Sequence, residues 1–325
     1  MTSENRITES YLIPPELSDR RLDQAAAALM PEHSRSRLQG WIKGGQLTVN
    51  GQTCKPRDKV MLDDRLELDA EPEVQVAWQA ESIELDVVFE DEHLLVINKP
   101  AGLVVHPAAG HADGTLVNAL LHHAPEVERL PRAGIVHRLD KDTSGIMVVA
   151  RSLIAHTSLV DQLQTRTMGR EYEAVIVGTL TGGGTVDAPI GRHPRDRKKM
   201  AVVATGKPAV THYRLLERFV AHTHIRCQLE SGRTHQIRVH MSHVKHPLVG
   251  DPAYGGRIKL PKGATDELRD VLGGFQRQAL HARRLTLEHP ATGELMSWET
   301  PLPEDMEELL AALRSHREEL ELRDY

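Results

Sequence analysis

Apolar residues recur along the chain at two spacings, and the switch from one to the other marks its elements. In "DRRLDQAAAALMP" (19–31), Leu22, Ala25, Ala26 and Leu29 fall at helical spacing and Pro31 ends the run. "HSRSRLQGWIKGG" (33–45) offers Ser34 or Ser36 as an N-cap, an apolar pair at Leu38 and Ile42, and Gly44-Gly45 as a stop. "QLTVNGQTC" then alternates and turns at Asn50-Gly51, a strong hairpin signal, and "RLEL" (65–68) alternates again. Further on, "LDVVFEDEHLLVINKP" (85–100) reads as two apolar strands around Asp91-Glu92. Helical spacing covers residues 115–123, 153–165 and 304–316. Strand patterns cover 134–136, 146–150, 171–177, 210–217, 224–230, 284–288 and 294–299. Strands outnumber helices without alternating regularly with them. The predicted class is therefore α+β: a mixed, mostly antiparallel β-sheet flanked by helices and loops, preceded by a small α+β unit.

At 325 residues two domains are expected. The pattern places an N-terminal extension at 1–17, a small domain at 18–70, an acidic linker at 71–82 and a large domain at 83–325 that ends in an acidic helix. The overall charge of −6 is uneven. Residues 71–93 hold eight acids and no Lys or Arg, and residues 304–325 hold eight acids and three bases, so the remainder is mildly basic. The densest basic run is "RHPRDRKK" (192–199), readable as a solvated loop or as a phosphate contact. No apolar run approaches the roughly 20 residues that span a bilayer, and the first residues carry no export signal. Cys54 and Cys227 lie far apart outside any metal pattern, which fits two inert thiols in a reducing cytoplasm. There is no glycine-rich nucleotide motif.

The stretch "RLDQAAAALMPEHSRSRLQGWIKGGQLTVNG" (21–51), ending in a strand of the form x-V-N-G, resembles the S4 RNA-binding domain. Its second helix carries Arg35, Arg37 and Lys43, which that resemblance makes the expected RNA contacts.

"GIVHRLDKDTSGIMVVARS" (134–152) sets a knot of charge between two apolar runs. "DKDTSG" imitates the start of an EF-hand loop, but position twelve is Arg151 where a bidentate Glu is needed. A zinc site built on His235, His240, His243 and His246 lacks HExxH and any acid within the run; polar-surface or RNA-facing histidines account for them. Asp140 and Asp142 are too close in sequence to face each other across a glycosidase cleft. Asp142 suits a loop cap, bonded to the backbone N–H of Ser144 or Gly145. That leaves Asp140, flanked by bases that hold it ionised, either in a structural ion pair with Arg138 or another arginine, or as a nucleophile or general base.

"HRLDKDTSG" resembles the signature of the RluA family of pseudouridine synthases. "REYEAVIVG", "GRTHQIRVHMSHVKHPLVGDPAYGG" and "FQRQALHARRLTLEHPATGE" resemble further parts of that family. The similarity runs over nearly the whole chain. It implies an isomerase that turns uridine into pseudouridine, with Asp140 attacking C1′ of the ribose or C6 of the uracil. Tyr172 would stack on the base and be the candidate to take the C5 proton. Arg238, placed in the first turn of a helix capped by Thr234, would pair with Asp140, and Arg138 would fill the gap left by the extruded uridine. The implied partner is a 23S rRNA stem-loop, free or in the assembling large ribosomal subunit. The chain would act as a monomer in the cytoplasm, with no metal, no small-molecule cofactor and no membrane. The rival functions are a non-catalytic S4-type RNA-binding protein and an RNA N-glycosidase.

Overall fold

The two alternating stretches of the small unit join a three-stranded antiparallel sheet in the order β1-β3-β2, where β1 is Ile7–Leu12, β2 Leu47–Val49 and β3 Arg65–Ala70. Helices α1 (Leu22–Leu29) and α2 (Arg35–Gly44) precede β2. The computed structural model describes residues 7–31, 33, 35–70, 78–107 and 113–323, and its contacts divide the chain into two compact units, Met1–Ala77 and Trp78–Tyr325.

In the first unit Leu22, Ala25 and Ala26 of α1 pack with Leu38, Trp41 and Ile42 of α2 and with Leu66 and Leu68 of β3. Asn50 and Gly51 take left-handed φ of 52° and 74°, and Val49 and Gln52 exchange backbone hydrogen bonds across them at 2.9 Å. The chain after Gln52 does not return beside β2, however; β3 takes that place. Residues 7–12 of the expected extension supply β1, paired with β3 from Ile7↔Ala70 to Leu12↔Arg65, so the sheet begins earlier than the periodicity indicated. Ser34, and residues 71–77 of the acidic linker, lie outside the described residues.

The second unit holds β4 (Val87–Glu90), β5 (Leu94–Lys99), α3 (Leu116–His123), β6 (Ser144–Ala150), α4 (Leu153–Gln164), β7 (Gly169–Val177), β8 (Gly184–Asp187), β9 (Ile190–Arg192) and β10 (Met200–Val202). It continues with β11 (Val210–Arg218), β12 (His222–Leu229), α5 (Gln236–His243), α6 (Asp266–Gly274), β13 (Leu280–Glu288), β14 (Leu295–Glu299) and α7 (Glu304–Arg323). The main sheet runs β4-β5-β6-β13-β7-β12-β11-β8, with β14 beside β13. Every pairing in it is antiparallel except β13 with β6, and β9 and β10 form a separate hairpin. The mixed, mostly antiparallel sheet expected from the sequence is the one observed. Its core joins β5 and β6 to Leu116, Val117 and Leu120 of α3 and Leu159 of α4.

Two expectations change. Residues 134–136 are not a strand: Ile135 alone bridges Val149, after a tight turn in which Arg132 and Ala133 sit at φ 54° and 53°. A buried apolar triplet does not distinguish the two. The acidic C-terminal segment is a longer helix than expected, and its Met306, Leu309, Leu310 and Leu313 pack with Leu268 and Leu272 of α6, an element the periodicity did not reveal.

Candidate active site

Residues 137–143 form a loop between the left-handed turn and β6, and the residues around it fix its shape. The Asp140 carbonyl accepts from the Thr143 N–H at 3.1 Å, closing a turn. Lys99, buried at the end of β5, donates to the carbonyls of Pro100, Leu103 and Lys141 at 2.8–2.9 Å, so the loop is tied to the adjoining strand end. Burial pushes the Lys99 ammonium down to about 7, against the pull of Asp142 and Asp140. On the far side Arg277 donates to the Asp142 carbonyl, Gln278 to the Thr143 hydroxyl, and Ser144 Oγ lies 2.9 Å from His281 Nδ1. The expected Asp142 side-chain bond to the Ser144 or Gly145 N–H does not form among the described residues; the loop is held by these contacts to its Asp142 carbonyl and its Thr143 and Ser144 hydroxyls instead. Gly145 follows at φ 116°, and a Cβ there would fall 2.3 Å from the Ala282 carbonyl, so β13 can approach β6 only past a glycine.

The loop aims Asp140 at α5. Asp140 Oδ2 accepts from Arg238 Nη1 at 2.9 Å. The other edge of the same guanidinium is held by Asp251, with Nε to Oδ2 at 2.7 Å and Nη2 to Oδ1 at 2.9 Å. Burial works against the charge of Arg238, but the hydrogen bonds and charge of Asp251, then of Asp140, hold its pKa above the ordinary arginine range. Asp251 is itself locked by the backbone N–H groups of Ala253 and Tyr254. The Tyr254 ring lies under Arg238, 5.1 Å from Cζ, and its hydroxyl meets His235 Nδ1 at 2.8 Å and the Met200 N–H at 2.9 Å, which ties in the basic hairpin β9–β10. The residue that caps α5 is His235, at φ 57°, and not Thr234. The Gln236 side chain satisfies the Arg233 N–H and the Ser231 hydroxyl instead. Ile237 and Met241 are buried, as the stripe required, and Arg238 stands in the first turn beside them.

Asp140, Arg238, Tyr172 and Arg138 all line one cleft of about 350 Å³. Tyr172 reaches it from β7, with Ala174 and Ile176 following on its face of the strand. Burial raises the Tyr172 phenol above its ordinary range, Arg170 pulls it back and Asp140 adds to the rise. Arg138 is exposed at the rim. Asp140 Oδ1 lies 3.8 Å from His235 Nε2 and accepts no hydrogen bond among the described residues. A fixed cation, a carboxylate with one uncommitted oxygen and an aromatic wall suit covalent or acid–base work on a flat ring.

Arg35, Arg37 and Lys43 belong to the other unit, on α2. Arg35 and Lys43 are exposed, and the Arg37 guanidinium lies over Trp41 at 5.1 Å. The histidine run does not face outward as a set: His240 is fully buried, with its ring nitrogens on Thr211 Oγ1 and the Ala188 carbonyl, and His246 meets the Val177 carbonyl. Lys99, Arg170, Asp251 and Tyr254 were not singled out from the sequence. Arg170, Asp251 and Tyr254 stand within quoted motifs; for Asp251 the signal is an acid in a glycine-rich, apolar surrounding.

A family profile described as "RNA pseudouridylate synthase" matches residues 93–243, and one described as "S4 domain" matches residues 20–66. The chain is 64% identical over 306 residues to the "Ribosomal large subunit pseudouridine synthase D" of Pseudomonas aeruginosa, covering 94% of this chain and 96% of that protein. It is 57% identical over 303 residues to the protein of the same name from Xanthomonas campestris pv. campestris, covering 93% and 92%. Among solved structures, "Human RNA Pseudouridylate Synthase Domain Containing 4" superposes with a TM-score of 0.57 at 29% identity, over 70% of this chain and 92% of that one.

Proposed function

The chain belongs to the RluA-type RNA pseudouridylate synthases and carries an S4 domain, and on that footing we propose that it converts uridines in a stem-loop of 23S rRNA to pseudouridine during assembly of the large ribosomal subunit. Asp140 is the nucleophile of this reading. Its attack on C1′ displaces the uracil as an anion; its attack on C6 leaves the electron pair on the ring. On either route the N1–C1′ bond breaks, the base turns, C5 bonds to C1′, the bond from Asp140 to C1′ or C6 breaks to return the free carboxylate, and the C5 proton leaves while N1 gains one. The reaction is an isomerisation, so its balance calls for no redox partner and no group donor, and the reading includes no metal or small-molecule cofactor.

The observation that carries it is the 2.9 Å pairing of Asp140 with an arginine whose other edge is bound by Asp251. Arg238 holds one carboxylate oxygen and cannot swing away, which leaves Oδ1 for the substrate. Tyr172 offers the wall on which an extruded uracil stacks. Flipping a base out costs a few kcal/mol, and stacking on an aromatic ring returns about 1–3 kcal/mol. In this reading Tyr172 takes the C5 proton once its phenol, raised in pKa by burial, has given up its own proton. Arg138, exposed at the rim, fills the vacated stack, and Arg35, Arg37 and Lys43 of α2 grip phosphates. The protein works as a monomer in the cytoplasm; no helix among the described residues is long and apolar enough to cross a membrane.

The test is an incubation of the purified protein with rRNA labelled with tritium at uridine C5, followed by assays for released tritium and for free uracil. Tritium release without free base is the expected result. Free uracil in place of pseudouridine would make the protein an N-glycosidase, and neither product would leave it a binding module.

A further inference from the structure

Arg170 stands two residues before Tyr172 on β7, on the same face of the strand, and lines the same cleft. It is 8% exposed, and its Nε is buried without a hydrogen-bond partner. The carboxylates nearest in sequence, Glu171 and Glu173, alternate to the other face of β7. Glu173 meets His224 at 2.9 Å, Arg226 at 3.3 Å and Arg283 at 3.6 Å, and Glu171 lies 3.8 Å from Arg226. Asp140 gives Oδ2 to Arg238, and no hydrogen bond or ion pair joins it to Arg170 among the described residues. His137, which feels the charge of Arg170, offers no anion: burial, then Arg170, push it down to about 3, and its Nε2 accepts from the Val148 N–H. The guanidinium is also held in place. Gly232 closes over it so tightly that a Cβ there would lie 2.7 Å from Nη1.

A buried N–H without an acceptor is costly, because its lost hydration is not replaced, and Arg170 Nε is such a group. A cleft that keeps such a group at its wall gains from it when the ligand brings the acceptor. RNA phosphates stay at the solvent rim, where Arg138 and Arg132 are exposed. What reaches the interior, beside Tyr172, is the base. We propose that Arg170 donates to a carbonyl oxygen of the extruded uracil and holds the negative charge that builds there during the reaction. Breaking N1–C1′ sends the bonding pair into the ring, where it delocalises onto O2 and O4. Attack at C6 sends the ring electrons to O4. O4 is therefore the oxygen charged on either route, and no proton transfer is needed to stabilise it. Removal of one donor to a developing oxyanion costs about 10²–10³ in rate.

This inference rests on the pseudouridine synthase reading, and the experiment separates the two. Single-turnover rates are measured for the wild type and Arg170→Met on a uridine RNA and on the same RNA with 4-thiouridine at the target, whose sulfur is a poor acceptor. Thermal melts are recorded alongside. The expected result is a fall of about 100-fold for Arg170→Met on uridine, with RNA affinity changed only a few-fold. The melting temperature should be unchanged or higher, because a buried N–H without an acceptor is gone. The sulfur substitution should slow the wild type several-fold and the variant not at all. A variant within 3-fold of wild type on uridine, or one slowed by sulfur as much as wild type, overturns the assignment. Should Arg170→Met fail to fold, Arg170→Gln carries the same cycle. A wild type that forms no pseudouridine would sink the functional reading itself.

Discussion

Arg238 and the two acids that hold it have different duties, and burial separates them. The Asp251 side chain is fully buried and bonds one edge of the guanidinium twice, while that of Asp140 is 19% exposed and bonds the other edge once. Removing Asp251 leaves Arg238 as a buried cation stripped of its main partner, a loss of about 3–5 kcal/mol in comparable cases. Asp251→Ala should therefore lower the urea midpoint by an amount equal to roughly 3 kcal/mol and abolish turnover. Asp140→Ala should move the midpoint far less. Equal and small changes in both melts would show that Asp251 does not carry the arginine. Asp140, Tyr172 and Arg238 could be picked out from the sequence because each sits in a short motif of its own. Asp251 lies 13 residues from Arg238, and Lys99 lies 42 residues from Lys141, whose carbonyl it holds. No local periodicity reports such partners. Arg170 was missed for another reason: its feature is the lack of a partner, which only packing reveals.

The helices and strands with a clear apolar period were legible, among them α1, α2, α4, β6, β7 and β12. The elements that were not are those held by distant neighbours. β1 has its own alternation, yet its role follows from pairing with β3, more than 50 residues on. The position of β13 between β6 and β7, the one parallel step in the sheet, likewise cannot be read from its own residues. Helix α2 is the element whose sequence reading leads furthest toward a partner, because Arg35 and Lys43 project from it while Leu38, Trp41 and Ile42 bury its other side. Each phosphate contact on single-stranded RNA adds about 0.7 to the slope of log affinity against log salt. Changing Arg35, Arg37 and Lys43 together to Gln should lower that slope by about 2 while circular dichroism stays that of the wild type. An unchanged slope would remove α2 from the RNA surface.

Over the whole molecule, a net charge of −6 conceals the chemistry, since acids gather in residues 71–93 and 304–325. The second of these segments is accounted for within the fold: α7 packs its apolar residues on α6, and Asp305 pairs with Arg277, which in turn holds the Asp142 carbonyl of the loop that carries Asp140. The central claim is that the side chain of Asp140 supplies the attacking oxygen, and Asp140→Asn tests it with the least disturbance, because the amide keeps the shape and loses the charge. Pseudouridine is read at nucleotide resolution in rRNA after single-turnover incubation with each protein, RNA affinity being measured in parallel. Loss of an enzyme's nucleophile commonly costs about 10⁴–10⁶ in rate. The account predicts that Asp140→Asn binds the RNA within a few-fold of wild type and leaves every target uridine unconverted; conversion at a rate within tenfold of wild type would contradict it.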